Sequence, residues 1–218
     1  MARLKTPLLV IATLLGLTAC ASRLGPGPVS AQSSLKTPIS SGFSNPDSRE
    51  IPRNPRNTTD ELATLSSPRI VIKKAERKLF LFAGDKLTRT YRVGLGLSPV
   101  GNKVRQGDRR TPEGDFYIFT RNDKSAFYLS LGISYPNEAH AERGLRDRLI
   151  TRDQYLAIKQ ALKAKSRPPQ NTKLGGDIYI HGNGAGSDWT WGCVALDDRD
   201  MRELFDAIPV GTPVRIEP

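Results

Sequence analysis

Asp177-Ile178-Tyr179-Ile180-His181-Gly182, followed by Thr190-Trp191-Gly192-Cys193-Val194-Ala195-Leu196, are the two segments on which the reading of this chain turns. The first is a short β-branched apolar run that ends on a histidine, the pattern of a strand delivering His181 to its own end. The second frames a cysteine with a glycine just ahead of an expected helix start. A neighbouring imidazole turns a thiol into a nucleophile able to attack an amide carbonyl. Gly192 would let the backbone N–H groups of Gly192 and Cys193 converge where a tetrahedral oxyanion forms. The loop Asn183-Gly184-Ala185-Gly186-Ser187-Asp188 is glycine-rich enough to fold the two side chains together. The chain holds only two cysteines and two histidines, so few other residues could do this chemistry.

Upstream, Arg69–Lys73, Lys78–Phe82 and Thr88–Val93 read as successive antiparallel strands, with a turn at Gly84-Asp85. Asp115–Phe119 is a further strand, launched by the turn Thr111-Pro112-Glu113-Gly114. Ile178–Ile180 and Val214–Ile216 complete the expected β content. Thr151 and Gln154 have the spacing of a capping box, ahead of a helix burying Tyr155, Ile158 and Leu162. Asp197 or Asp198 caps a second helix with the stripe Met201, Leu204, Phe205 and Ile208, ended by Pro209 and Gly211.

The N-terminus has another character. Arg3 and Lys5 precede an apolar run from Leu8 to Leu17, too short to span a bilayer, which needs roughly 20 apolar residues. This is the layout of a secretory signal, residues 1–19. Its end, Leu17-Thr18-Ala19-Cys20, resembles a bacterial lipobox, which implies lipidation of Cys20. With Cys20 acylated, Cys193 has no partner in the chain, and a free thiol in an exported protein points to a nucleophile. Residues 20–67 are Ser- and Pro-rich without hydrophobic periodicity and read as a tether. The 218-residue chain carries a net charge of +11, and the tether's five basic and four acidic residues nearly cancel. The charge therefore resides in the domain 68–218, suited to an acidic polymer. An export signal favours a cell-wall polymer over nucleic acid.

The wording around His181 and Cys193 resembles the signature of the L,D-transpeptidase family, the YkuD-type domain. Gly94-Leu95-Gly96, Pro99-Val100-Gly101-Asn102-Lys103, Gly107-Asp108-Arg109-Arg110-Thr111-Pro112-Glu113-Gly114 and Gly132-Ile133-Ser134-Tyr135-Pro136-Asn137 follow the family's order, so the resemblance covers most of Ile70 to Ile216. It implies a mainly β fold with flanking helices, a β-sandwich of mixed sheets. It also implies an enzyme that acts on peptidoglycan stem peptides. Cys193 would be acylated at the third stem residue with loss of the terminal D-alanine. His181 would be its base, oriented by the Gly182 carbonyl, and an amine or water would take the acyl group. On the same resemblance Tyr135, Asn137, Asp188, Thr190 and Trp191 would bind substrate, and no metal or organic cofactor is expected. Trp191 stands where many members have a second histidine, and Ala195 where many have Asn or Arg. A tryptophan in such a place more commonly packs than stacks on substrate.

Other candidates are weaker. Gly94-x-Gly96 lacks the third glycine of a dinucleotide fingerprint and reads as a strand-to-strand loop. His140, between Glu138 and Glu142, reads as a solvated loop histidine. Lys103, Arg105, Arg109 and Arg110 read as exposed loop cations able to meet stem carboxylates. One cysteine with one or two histidines is too few for a structural zinc site. The expected protein is an exported enzyme, lipid-anchored at the periplasmic face, and in a two-membrane bacterium at the outer membrane, because Ala21 and Ser22 lack an Asp retention signal. A stem hydrolase or a non-catalytic peptidoglycan-binding lipoprotein are the alternatives.

Overall fold

The structure, a computed structural model, describes residues 65–218. The expected signal segment, Cys20 and nearly all of the tether lie outside the described residues. Eight strands and three helices form the described part: β1 (Pro68–Lys73), β2 (Lys78–Ala83), β3 (Lys86–Arg92), β4 (Gly114–Ser125), β5 (Tyr128–Ile133), α1 (Glu138–Arg146), α2 (Arg152–Lys163), β6 (Tyr179–His181), β7 (Val194–Ala195), α3 (Asp198–Ala207) and β8 (Pro213–Glu217). Among the described residues no helix is long and apolar enough to cross a membrane.

Alternation builds the first three strands. Ile70 and Ile72 of β1 face Leu81 and Leu79 of β2, and Tyr91 of β3 faces Leu79. All five are buried, as period-2 patterning over a one-sided core requires. On the outer face Arg69 lies 3.8 Å from the Phe82 ring centroid and Lys73 5.5 Å from that of Phe80, so the cations help to cover these half-buried aromatics.

The strands form one mixed sheet in the order β3-β2-β1-β8-β4-β5-β6-β7. The C-terminal strand β8 inserts between β1, to which it is parallel, and β4, to which it is antiparallel. The 12-residue β4 joins two halves: Gly114–Tyr117 pair with β8, while Ile118–Ser125 pair with β5 across irregular register. Bulges of this kind bend a strand and increase its twist. The expected sandwich of mixed sheets is thus realised as a single sheet curled about β4. Beyond β3, Gly94 bridges Ala195 and Gly96 bridges Thr190, drawing the two sheet edges together. The bridge needs glycine, because a Cβ on Gly96 would lie 2.2 Å from the Arg109 carbonyl oxygen.

Met201, Leu204 and Ile208 of the α3 segment sit wholly in the core inside this curl, and Phe205 is nearly so. Helices α1 and α2 enclose a smaller core of Ala141, Ile150, Ile158 and Leu174. The Thr151–Gln154 capping box forms as the sequence predicts. Three elements were not expected. In β5, Ser130 and Gly132 interrupt the apolar pattern although both are buried. β7 is only two residues long, and α1 (EAHAERGLR) is too polar to show an apolar stripe.

Candidate active site

β6 delivers His181 at its last position, and β7 lies parallel beside it with Ile180 opposite Val194 and His181 opposite Ala195. Cys193 is therefore one step before β7, and the alternation of side chains puts it on the face shared by Tyr179 and His181. Both open onto one cleft of about 340 Å³, walled by Asn122, Lys124, Phe127 and Ser130 of the β4–β5 hairpin and by Asp177 and Tyr179.

The His181 imidazole is 3 % exposed. Phe127 stacks on it at 4.7 Å between ring centroids, and Trp189 meets it edge-on at 5.6 Å. Its Nδ1 lies 2.7 Å from the Gly182 carbonyl oxygen. A carbonyl only accepts, so Nδ1 carries the proton and Nε2 keeps the basic lone pair. The loop that follows is tied to the start of α3. The Asp198 carboxylate accepts from the Asn183 amide at 2.7 Å, and that of Asp197 from Ala185 at 2.9 Å. Asp197 does occupy the N-cap position of α3, but its side chain serves this loop and not the helix amides.

The Cys193 thiol donates to the Asp177 carbonyl and accepts from the Tyr179 amide, each at 3.4 Å. Burial pushes the thiol up to about 11, against the opposing effect of the Tyr179 N–H. Burial likewise holds His181 below the ordinary histidine value of 6.5, outweighing the Gly182 carbonyl. The resting pair is a thiol and a neutral imidazole, not a preformed ion pair. Desolvation is the largest effect on each group, and it disfavours the charged form of both.

A direct consequence is measurable. A base is lost when it is protonated, so the rate of Cys193 acylation should stay level from neutral pH downward and fall with a midpoint below 6.5. Acylation followed by mass spectrometry across pH reads this limb. A midpoint at 6.5 would mean that His181 is solvated, and one above it that His181 faces an anion.

The turn before Cys193 is fixed by Thr190. Its hydroxyl donates to the Cys193 carbonyl at 2.7 Å and accepts from the Gly192 amide at 3.1 Å. Gly192 has φ +127°, and a Cβ there would lie 2.7 Å from the Arg110 carbonyl oxygen, so only glycine fits. The expectation that the Gly192 N–H is aimed at an oxyanion is corrected: that donor is already engaged by Thr190.

Several residues expected to grip substrate sit elsewhere. Tyr135 is 0 % exposed, and its hydroxyl donates to the Leu174 carbonyl at 3.0 Å, so it is a core residue. Asn137 caps α1, accepting from the His140 amide at 3.1 Å and donating to the Asp115 carbonyl at 3.2 Å, and it borders a different cavity. Asp188 pairs with Arg77 at 2.7 Å and accepts from the Leu95 amide at 2.9 Å, which anchors the loop. Trp191 does not pack: it is 69 % exposed, with the Arg109 guanidinium 5.0 Å from its ring centroid.

Two basic residues also differ from their sequence reading. His140 is buried, 1 % exposed, with Nε2 2.9 Å from Asn102 Oδ1. Burial, then Arg143 and Lys103, push it down to about 3. Lys103 is buried and paired with Asp108 at 2.8 Å, whereas Arg105 and Arg109 are exposed as expected. Among the described residues no group of three His, Cys, Asp or Glu side chains could hold a metal ion. Sequence reasoning missed Phe127, whose hairpin reads as a polar turn. It also missed the Asp177 carbonyl and the Tyr179 amide, because backbone groups carry no side-chain signal.

The fold and the geometry now meet the family comparison. The model of the YkuD family, the L,D-transpeptidase catalytic domain, matches residues 67–216, more than half of the chain. The chain belongs to this family. Among solved structures it is similar to an L,D-transpeptidase from Xylanimonas cellulosilytica at 19% identity (TM-score 0.41), covering 70% of this chain and 61% of that one. An L,D-transpeptidase from Mycobacterium smegmatis aligns at 10% identity (TM-score 0.42), covering 70% and 59%. The helical cell shape determining protein Pgp2 from Campylobacter jejuni aligns at 18% identity (TM-score 0.44), covering 73% and 54%. The chain thus spans less than two thirds of the length of these structures. No curated protein matches it.

Proposed function

We propose that the domain is a peptidoglycan L,D-transpeptidase that uses Cys193 as its nucleophile. The observation that carries this reading is the shared cleft. A thiol and an imidazole with a fixed Nε2 lone pair open onto the same space in a member of this family. In the reaction the thiol proton swings from the Asp177 carbonyl to His181 Nε2 as sulfur attacks the carbonyl carbon of the third stem residue. The tetrahedral intermediate collapses by breaking the amide bond to the terminal D-alanine, whose amine leaves with the proton from Nε2. An acceptor amine then gives a proton to Nε2 and attacks the thioester, the C–S bond breaks, and the sulfur takes the proton back from Nε2, which restores the thiol. Phe127, stacked on the ring, and Trp189, edge-on to it, keep the ring from turning between these two transfers. The reading also places the enzyme outside the cytoplasm, held to a membrane by lipid on Cys20, with stem peptides of the wall as its partners.

Muropeptide analysis of sacculi incubated with the full chain, with the Cys193→Ala protein as control, tests the reaction. New crosslinks or amine adducts, absent from the control, are expected. Shortened stems would instead mean that water is the acceptor. Retention on sacculi without products would end the enzymatic reading. Cys20→Ser should abolish lipid labelling in cells, and persistent labelling would overturn the anchor.

A further inference from the structure

Trp191 lies two residues before Cys193, is not part of the cleft, and exposes 69 % of its surface. Indole presents a large apolar face, and here that face lies in the turn that carries the nucleophile, with an exposed guanidinium over its other side. The loop beside it is well bonded. The Arg109 guanidinium covers one face, and the Arg109 carbonyl accepts from the Ser98 amide at 3.0 Å. The Asp108 carboxylate beside it accepts from Lys103 Nζ and from the amides of Val104, Arg105 and Arg110. Leu97, also exposed, donates its amide to the Thr190 carbonyl at 3.0 Å, one residue before Trp191.

We propose that the open face of Trp191 docks a pyranose ring of the glycan strand from which the stem peptide hangs. This rests on the transpeptidase reading of the cleft and names a substrate portion the cleft itself does not reach. With the third stem residue at Cys193, an extended stem carries the sugar on the order of 10 Å away. Trp191 and Cys193 are at most about 7 Å apart along the chain, and the indole projects further. A single flat ring face with one guanidinium behind it matches the C–H face of one sugar. A protein partner would require roughly 800 Å² per side, far more than one ring with a short rim. Arg109 has no carboxylate partner among the described ion pairs. It therefore favours an acidic, carboxylate-bearing glycopeptide over a basic one.

The test compares two substrates for the full chain: a disaccharide-tetrapeptide and the same tetrapeptide without sugar. Trp191→Ala should lower kcat/KM about tenfold on the disaccharide substrate, through KM, and change the sugar-free substrate less than about twofold. Trp191→Phe should retain most of the preference. Calorimetric titration with a tetramer of N-acetylglucosamine should give saturable binding to the wild-type chain that Trp191→Ala loses. Equal losses on both substrates, or oligomer binding indifferent to Trp191, would overturn the proposal. If the wild type turns over neither substrate, the transpeptidase reading fails while the titration still decides whether Trp191 docks sugar.

Discussion

Replacing His181 with alanine should slow acylation of Cys193 by about 10²–10⁴-fold, the scale for losing a positioned general base. A carbapenem is the probe, because its strained lactam presents an amide carbonyl and its thioester is seen directly by intact-protein mass spectrometry. The effect should be large here because the thiol does not ionise by itself near neutrality. Burial pushes it up to about 11, so the thiol form dominates at pH 7. Attack therefore depends on proton removal in step with bond formation. His181 Nε2 is the unprotonated ring nitrogen, since Nδ1 is committed to the Gly182 carbonyl. The variant leaves a gap between Phe127 and Trp189, so circular dichroism and thermal melting must show that it is folded. Equal rates in the two folded proteins would remove His181 from the mechanism. Absence of an adduct in the wild type would direct attention to Trp191, and Trp191→His would then be the informative variant.

How much of this was legible beforehand differs by physical cause. The strands β1, β2 and β3 announce themselves because one face is buried and the other wet, so residues alternate. β5 does not, because Ser130 and Gly132 are buried at positions where the chain packs closely, and a Cβ on Gly132 would lie 2.7 Å from the Phe119 ring. The His181–Cys193 pairing was readable as a motif, whereas its electrostatic state was not. Whether a thiol and an imidazole rest charged depends on burial from every side, and here the walls include Phe127 and Trp189, far apart in sequence. The residues nominated around the motif separate by the same logic. Thr190 and Asp188 carry polar groups that the turn and loop require for themselves, and Tyr135 is consumed by the core. Trp191 alone among those nominated to bind substrate keeps an apolar face unspent.

A buried cation that bears on stability is Lys74, which the sequence hides at the end of a strand. Its side chain is 2 % exposed, and Nζ donates to Glu113 Oε1 at 2.7 Å, to the Gly101 carbonyl at 2.7 Å and to the Thr111 carbonyl at 3.0 Å. All three donors are thus satisfied, the condition under which a buried ammonium is tolerated. Lys74→Met keeps the aliphatic stem but leaves Glu113, 17 % exposed, and two carbonyls without their cation. Removing one member of a buried pair costs about 3–5 kcal/mol, a large share of the roughly 5–15 kcal/mol that holds a domain folded. The melting temperature should fall on the order of 10 °C for a domain of this size. Adding Glu113→Leu removes the stranded carboxylate, so the double variant should regain part of that loss, and the cycle of four proteins measures the coupling. The effect should also reach the site. The Thr111 hydroxyl accepts from the Gly96 amide at 3.0 Å and lies 3.5 Å from the Cys193 carbonyl oxygen, so loosening the Thr111 backbone loosens the nucleophile's turn. At a temperature where Lys74→Met is still folded, its carbapenem acylation should be slower than wild type, by less than His181→Ala. A melting temperature within about 2 °C of wild type would show that Lys74 and Glu113 behave as a solvated surface pair, contributing about 0–1 kcal/mol.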